Sequence, residues 1–293
     1  MNKCDYKGVG VALITPFNAD GSVDFGALGT MVDSVISGGV DYIVALGTTA
    51  ETPAIIQDER EAIARYIKSL NNGRVPLVIG IGGNCTKEVI DAIVRFDLRG
   101  FDAVLSVAPY YNRPSQEGIY QHYKAIAQAS PLPIILYNVP SRTGVNITAE
   151  TTLRLAEAPN IIGIKEASGN MEQIRHILRE KPADFFVLSG DDSLTLDIMD
   201  EGGLGVISVA ANCFPKSFCS MIHSQQAGHK AEARAVEAKL KPAMKMLFEE
   251  GNPTGVKSAL YAKGLIQPYL RLPMIIGSDD LIERLRVAVN ENE

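Results

Sequence analysis

The 293-residue chain is 46% hydrophobic and 21% charged, close to an ordinary globular composition, so it can bury a sizeable core and a disordered chain is excluded. Its formal net charge of −6 argues against nucleic acid or an anionic membrane surface as partners, since both select a basic patch. No uninterrupted apolar run is long enough to cross a bilayer, and Met1-Asn2-Lys3-Cys4-Asp5-Tyr6 lacks the apolar core of a secretory signal, so the sequence reads as cytoplasmic.

Eight short apolar runs, at 8–16, 42–49, 76–83, 103–109, 133–140, 161–167, 185–191 and 205–212, alternate with helix-like segments, the pattern of βα units. The intervening stretches 24–37, 57–70, 86–98 and 115–129 carry apolar residues at three- and four-residue spacing with Ser, Thr or Asp near the start, and predict surface helices over a parallel sheet. After Asn212 the alternation stops, and 216–226, 229–250, 253–266 and 278–290 all read as helical. The first completes the alternation. The other three form a C-terminal helical appendix, expected to serve packing or subunit contact and assigned no chemistry. The expected division is therefore 1–226 as a catalytic domain and 227–293 as a helical domain.

Eight βα units close into a barrel or spread as a doubly wound sheet. No GxGxxG follows the first run, and the unusual residues lie at many different strand ends: Thr15, Thr48, Thr49, Tyr110, Tyr111, Tyr137, Lys165, Gly190, Asp191, Ser208 and Asn212. An open sheet gathers its ligand contacts at one switch point, whereas a barrel directs all eight strand ends at one centre, so the predicted fold is α/β, a (β/α)8 TIM barrel with a C-terminal helical appendix. Gly82-Gly83-Asn84 lacks the GK[ST] ending of a phosphate loop and reads as a tight βα turn. Cys4, Cys85, Cys213 and Cys219 have no CxxC spacing and read as buried thiols. His122, His176 and His223 fall in helix-like stretches and His229 at a helix start, with no metal-ligand spacing among them, so the expected chemistry needs no metal.

The stretch Ile161-Ile162-Gly163-Ile164-Lys165-Glu166-Ala167 places a lysine at the end of an apolar strand. Alternation puts Ile161, Gly163, Lys165 and Ala167 on one face and Ile162 and Ile164 on the other. If the Ile face packs on helices, Lys165 looks into a confined interior, where desolvation disfavours the ammonium and favours a nucleophilic amine that attacks carbonyls. The alternative is a lysine that snorkels to solvent or pairs with Glu166. A carbonyl condensation around Lys165 also needs a carboxylate anchor, a proton relay and, for a second acidic substrate, a cationic clamp. Thr48 and Thr49 suit a carboxylate and Tyr137 suits proton transfer, although threonines also cap helices and strand tyrosines are usually core.

Taken together, Leu46-Gly47-Thr48-Thr49-Ala50-Glu51, Pro109-Tyr110-Tyr111-Asn112-Arg113-Pro114, Tyr137-Asn138-Val139-Pro140-Ser141-Arg142-Thr143-Gly144 and Gly163-Ile164-Lys165-Glu166-Ala167 resemble the motifs of the dihydrodipicolinate synthase and N-acetylneuraminate lyase family. The resemblance spans the chain, through Ser189-Gly190-Asp191-Asp192 and Gly205-Val206-Ile207-Ser208-Val209, and Ser141-Arg142-Thr143-Gly144 favours the synthase branch. It implies a lyase without cofactor, usually a homotetramer built as a dimer of dimers. In such an enzyme Lys165 forms a Schiff base with pyruvate, whose enamine adds to L-aspartate 4-semialdehyde on the diaminopimelate route to lysine. Tyr137, Thr49 and Tyr111 form the implied proton relay, with Tyr111 reaching in from a neighbouring subunit. Thr48 and Thr49 hold the pyruvate carboxylate, Arg142 clamps the semialdehyde carboxylate, and Gly190 and Ile207 line the pocket through their backbones. The resemblance further implies an L-lysine effector site at Thr52, Asn84, Glu88 and Tyr110, with Gln57 and Arg60 where inhibited members often carry histidines. Ala50 replaces a common glycine, which would cost strain of order 1 kcal/mol if that position needs positive φ. A sibling aldolase cleaving a sugar acid, such as a neuraminate or ketodeoxygluconate lyase, is the nearest alternative, and Arg142 argues against it. A non-catalytic barrel that binds a 2-oxo acid would lack one of the lysine, tyrosine or arginine, and all three are present.

Overall fold

The structure, a computed structural model, describes residues 6–292. Eight parallel strands form one sheet that closes as a barrel in the order β1 to β8: β1 Gly8–Ala12, β2 Tyr42–Ala45, β3 Leu77–Gly80, β4 Ala103–Val107, β5 Ile134–Asn138, β6 Ile161–Glu166, β7 Phe186–Ser189 and β8 Gly205–Ser208. The predicted (β/α)8 barrel is thus the fold, and each strand lies inside one of the eight apolar runs. The strands are shorter than the runs because the last residues of each run turn into the following loop. In the second run, for example, the backbone leaves the strand at Leu46, whose φ is 55°.

Between and after the strands run α1 Phe25–Ser37, α2 Gln57–Asn71, α3 Thr86–Arg95, α4 Gln116–Ala129, α5 Pro140–Thr143, α6 Ala149–Ala156, α7 Met171–Glu180, α8 Thr195–Asp200, α9 Pro215–Gln226, α10 Lys230–Glu249, α11 Thr254–Ala262 and α12 Asp279–Asn292. Their starts are chemically marked. Asp24, Ser115, Thr148 and Asn170 each accept a backbone N–H of the first turn of α1, α4, α6 and α7 respectively, satisfying donors that have no partner within the helix.

The chain divides into two compact units. One comprises Leu77–Ile207 with Tyr6 and Lys7; the other comprises Gly8–Pro76 and the residues from Ser208 onward. In each unit an aromatic ring fills the space left by a glycine on the neighbouring strand. Gly10 pairs with Tyr42 across β1 and β2, and a Cβ on Gly10 would lie 2.1 Å from the Tyr42 ring. Gly163 pairs with Phe186 across β6 and β7, and a Cβ there would lie 2.3 Å from the Phe186 ring. Interior layers built of small and large partners pack densely without overlap. Gly163 is therefore small because Phe186 occupies its side-chain position, two residues below Lys165.

Two expectations are corrected. Cys85, preceding α3, is exposed, whereas Cys213 and Cys219 are buried, with burial pushing the Cys219 thiol up to about 12. Cys4 lies outside the described residues. The strain anticipated at Ala50 is absent there: Ala50 sits in a 3₁₀ turn, and the positive φ values fall on Leu46 and Glu51 on either side, the latter at 58°.

Candidate active site

In the unit that carries β3 to β7, β5 and β6 bring the lysine and the tyrosine together. Tyr137 pairs in register with Lys165, so both side chains leave the sheet at one level and on one face. Lys165 Nζ stands 4.4 Å from the Tyr137 ring centroid, and the two residues are 6% and 7% exposed. The lysine is thus buried beside the tyrosine ring rather than out at the rim, and its sequence neighbour is engaged elsewhere. Glu166 projects from the opposite face and is held by Asn138 Nδ2 at 3.0 Å, Gln173 Nε2 at 3.0 Å and the Ser168 N–H at 2.6 Å. Burial pushes the Glu166 carboxyl above the usual range, and these donors oppose that shift. Asn138 Nδ2 also donates to Asn146 Oδ1, which ties the outer face of β5 and β6 to the loop before α6.

Gly190, the residue after β7, leaves the lysine its space. A Cβ there would lie 2.6 Å from Ala167 Cβ and 3.1 Å from Lys165 Cε. Ile207 is buried in β8.

The loops after β4 and β5 hold the expected clamp and relay residues. Arg142 lies exposed in the last turn of α5, the short helix that ends at Gly144 with φ 73°. The Tyr111 N–H donates to the Thr143 carbonyl at 3.3 Å, while Tyr111 itself has φ 72° and is 88% exposed. An aromatic side chain held outward on a left-handed backbone is a strained arrangement of the kind that clusters at functional sites.

Thr48 and Thr49 belong to the other unit. They open a 3₁₀ turn after β2 rather than ending the strand itself, with Thr48 half-buried and Thr49 buried. Thr49 Oγ1 accepts a hydrogen bond from Asn252 Nδ2 at 3.0 Å. The turn ends at Glu51, whose carboxylate pairs with Lys257 Nζ of α11 at 2.5 Å, both side chains being almost wholly buried. Burial pushes the Lys257 amine down to about 8, opposed by Glu51. Lys257 Nζ also donates to the Tyr269 carbonyl at 3.0 Å and lies 4.2 Å from the Phe17 ring centroid. The Arg271 N–H donates to the second Glu51 oxygen at 3.0 Å, and its guanidinium makes a bidentate pair with Glu59 while donating to the Gly21 and Ala54 carbonyls. That pair holds the Glu59 carboxyl below its usual range.

Of these residues, Asn252, Lys257 and Arg271 escaped the sequence reading, which gave the C-terminal helices no chemistry. A signal was present, because Lys257 is the single charged residue in the nine-residue helix Thr254–Ala262.

The expected effector residues are half-buried or exposed. Thr52 Oγ1 donates to the Gly47 carbonyl, the Asn84 carbonyl accepts from Asn112 Nδ2 at 2.8 Å, Glu88 is exposed in the first turn of α3, and Tyr110 is 40% exposed. Arg60 donates to the Ile55 and Thr52 carbonyls.

The Dihydrodipicolinate synthetase family model matches residues 5–292. The chain belongs to that family. A 4-hydroxy-tetrahydrodipicolinate synthase of Parabacteroides distasonis is 50% identical over 292 residues, covering 99% of this chain and 98% of the relative. A solved dihydrodipicolinate synthase from Acinetobacter baumannii, complexed with pyruvate, is 40% identical with a TM-score of 0.95, covering 98% of this chain and 99% of that one. Another, from Cyanidioschyzon merolae with lysine bound, is 38% identical with a TM-score of 0.93 and covers 98% of both chains.

The packing of Gly190 against Lys165 leads to one expectation for this family member. Gly190→Ala should lower kcat/KM by about 100-fold or more while the far-ultraviolet spectrum is retained, because the added methyl would displace the Lys165 side chain and a small misplacement within an active site can cost that much. Wild-type kinetics in this variant would show that the lysine does not depend on that space.

Proposed function

We propose that Lys165 is the nucleophile of a pyruvate condensation, an assignment that rests on the buried amine standing 4.4 Å from the Tyr137 ring centroid, with Gly190 clearing its side. The reaction joins pyruvate to L-aspartate 4-semialdehyde and gives 4-hydroxy-tetrahydrodipicolinate, in the diaminopimelate route of lysine biosynthesis. In our reading the Lys165 amine attacks C2 of pyruvate, and loss of water gives an imine. Removal of a C3 proton yields the enamine, whose C3 bonds to the aldehyde carbon of the semialdehyde. The semialdehyde amine then attacks C2 and displaces Lys165, closing the ring. The covalent bond to lysine serves as the electron sink, so the chemistry requires no further cofactor and no metal.

Protons move through Tyr137, Thr49 and Tyr111. Thr48 and Thr49 anchor the pyruvate carboxylate, and Arg142 takes the carboxylate of the semialdehyde, for which its planar fork of donors is suited. Gly190 and Ile207 line the pocket. In a (β/α)8 barrel the loops that follow the strands are the ones that carry chemistry, and all these residues lie in or beside such loops. Residues 1–226 then form the catalytic barrel, supported by a helical domain of 227–293. The working location is the cytoplasm, with no nucleic acid or membrane partner.

Sodium borohydride added with pyruvate should inactivate the protein and add mass at Lys165, because an imine is reduced in place. Lys165→Arg should lose activity by at least about three orders of magnitude with the fold kept. EDTA should leave the rate unchanged. Labelling at another residue would remove the mechanism.

The exposed, left-handed Tyr111 supports a site completed by a second subunit in a homotetramer, since an aromatic ring held in solvent costs strain without burying surface. Tyr111→Phe and Lys165→Ala, unfolded and refolded together, should recover up to about a quarter of wild-type activity, because a mixed dimer contains one site with both residues intact. No recovery from verified mixed dimers would place Tyr111 in the site of its own subunit.

Asn84, Glu88 and Tyr110, together with Thr52, supply an amide, an acid, a phenol and a hydroxyl suited to the carboxylate, ammonium and stem of L-lysine, and a lysine-bound relative supports an effector role. L-lysine should inhibit at millimolar concentration or below, and Glu88→Ala should weaken that inhibition at least about tenfold, the loss expected when a charged hydrogen bond is removed. Equal inhibition of both proteins would clear Glu88 of this role.

A further inference from the structure

The chain beyond the barrel reaches back to the turn at Thr48–Glu51 through side chains of two residues, Lys257 of α11 and Asn252 of the turn before it, and their contacts differ in kind. Lys257 and Glu51 form an ion pair that fixes the end of the turn. Asn252 instead touches the side chain of Thr49 itself, with its amide nitrogen donating to Oγ1. A threonine hydroxyl has one hydrogen to give and two positions at which to accept. When a buried amide fills an accepting position, the hydroxyl hydrogen is directed away from that amide, and the group is presented to a ligand as a donor.

We propose that Asn252 is a positioning residue for the 2-oxo acid substrate: by donating to Thr49 Oγ1 it turns the hydroxyl hydrogen toward the substrate carboxylate and sets the preference for a negatively charged 2-oxo acid. The inference rests on the reading of Thr49 as carboxylate anchor. Asn252 does not touch substrate and acts only through Thr49. The residue is 5% exposed and Thr49 is 3% exposed, so water does not compete freely for the contact. The turn cannot swing to find another partner, because Glu51, with φ 58°, is held at both carboxylate oxygens by Lys257 and the Arg271 N–H. Asn252 therefore decides the polarity of a hydroxyl whose location other residues have already fixed.

The test is a double-mutant cycle on pyruvate kinetics, with thermal melting recorded for every variant. Asn252→Ala should raise the pyruvate KM about tenfold, the size expected for one directed hydrogen bond, and leave the semialdehyde KM unchanged, with a loss of kcat smaller than that of Thr49→Val, since Thr49 also serves the proposed relay. In a Thr49→Val background, which has no hydroxyl to orient, Asn252→Ala should add less than about twofold to the pyruvate KM. Asn252→Asp keeps the side-chain shape but accepts the Thr49 hydrogen and adds negative charge, so at pH 8 it should raise the pyruvate KM more than alanine does. This variant also carries the test should Asn252→Ala fail to fold. Additive effects in the cycle, an Asp variant no worse than Ala, or parallel loss of kcat and both KM values with the melting temperature would reduce Asn252 to packing and overturn the proposal. An unchanged pyruvate KM in Thr49→Val alone would instead remove the anchor reading of Thr49, a failure distinct from additivity.

Discussion

A carboxylate and an ammonium buried together stabilise a fold far less than the loss of either would destabilise it, and the pair Glu51–Lys257 illustrates that asymmetry. Removing one partner from such a pair costs about 3–5 kcal/mol, because the remaining charge is left without compensation. Glu51 also occupies a left-handed backbone conformation, a further cost of about 1–3 kcal/mol for a residue other than glycine. Both penalties are tolerated because the surroundings over-determine the position: Lys257 on one oxygen, the Arg271 N–H on the other, and Arg271 itself anchored on Glu59 and two carbonyls. The consequence is a rigid turn carrying Thr48 and Thr49. A geometry this constrained is what the proposed carboxylate anchor needs, because groups already in place bind without reorganisation.

Strand β6 shows a second use of opposed environments. Lys165 and Glu166 are adjacent in sequence, yet the pleat sends them to opposite faces, so they do not neutralise each other. On one face the amine meets the Tyr137 ring and the space left by Gly190; on the other the carboxyl is taken by Asn138, Gln173 and the Ser168 N–H. Asn138 and Tyr137 are likewise adjacent on β5, and each faces the β6 residue that is its partner in register. A network of polar side chains behind the sheet therefore holds the two strands at the height where the lysine and the tyrosine meet. Such support matters for the proposed chemistry of Lys165, because a shift of about 1 Å at a reacting group removes much of its rate advantage.

Much of this was legible in the sequence, because the signals were local. Alternation along 161–167 is enough to separate Lys165 from Glu166, and the repetition of apolar runs and helices is enough for the barrel. The helix starts at Asp24 and Ser115 were marked by residues that cap chemically. What stayed hidden depends on contacts between positions far apart in the chain. Asn252 and Thr49 are 203 residues apart, and nothing in the residues around either shows that they touch. The 3₁₀ turn after β2 was hidden for another reason: an apolar run with threonines at its end fits a strand until one knows that Leu46 has left the extended region. Strain at Ala50 is expected only if that position needs positive φ, and it does not: the small residue there answers to burial within the turn, and Ala50 is 1% exposed.

The non-glycine residues with positive φ sharpen the same point. Among the described residues they are Leu46, Glu51, Asn72, Tyr111 and Arg113, and all but Asn72, which ends α2, lie in the loops after β2 and β4. Among the described residues, and setting aside Asn72, whose residue type tolerates a left-handed helix end, positive φ outside glycine thus falls in two loops at strand ends. In the first loop it is compensated inside the protein, by the ion pair and the arginine beneath it. In the second, Tyr111 and Arg113 flank Asn112, which donates to the Asn84 carbonyl, and the Tyr111 N–H is bonded to Thr143, but the Tyr111 ring itself is left in solvent. The two loops therefore differ in kind: around Glu51 the cost is met by contacts within the chain, whereas the Tyr111 ring keeps its left-handed backbone without burying surface, which is the observation on which the proposed second-subunit role of Tyr111 rests.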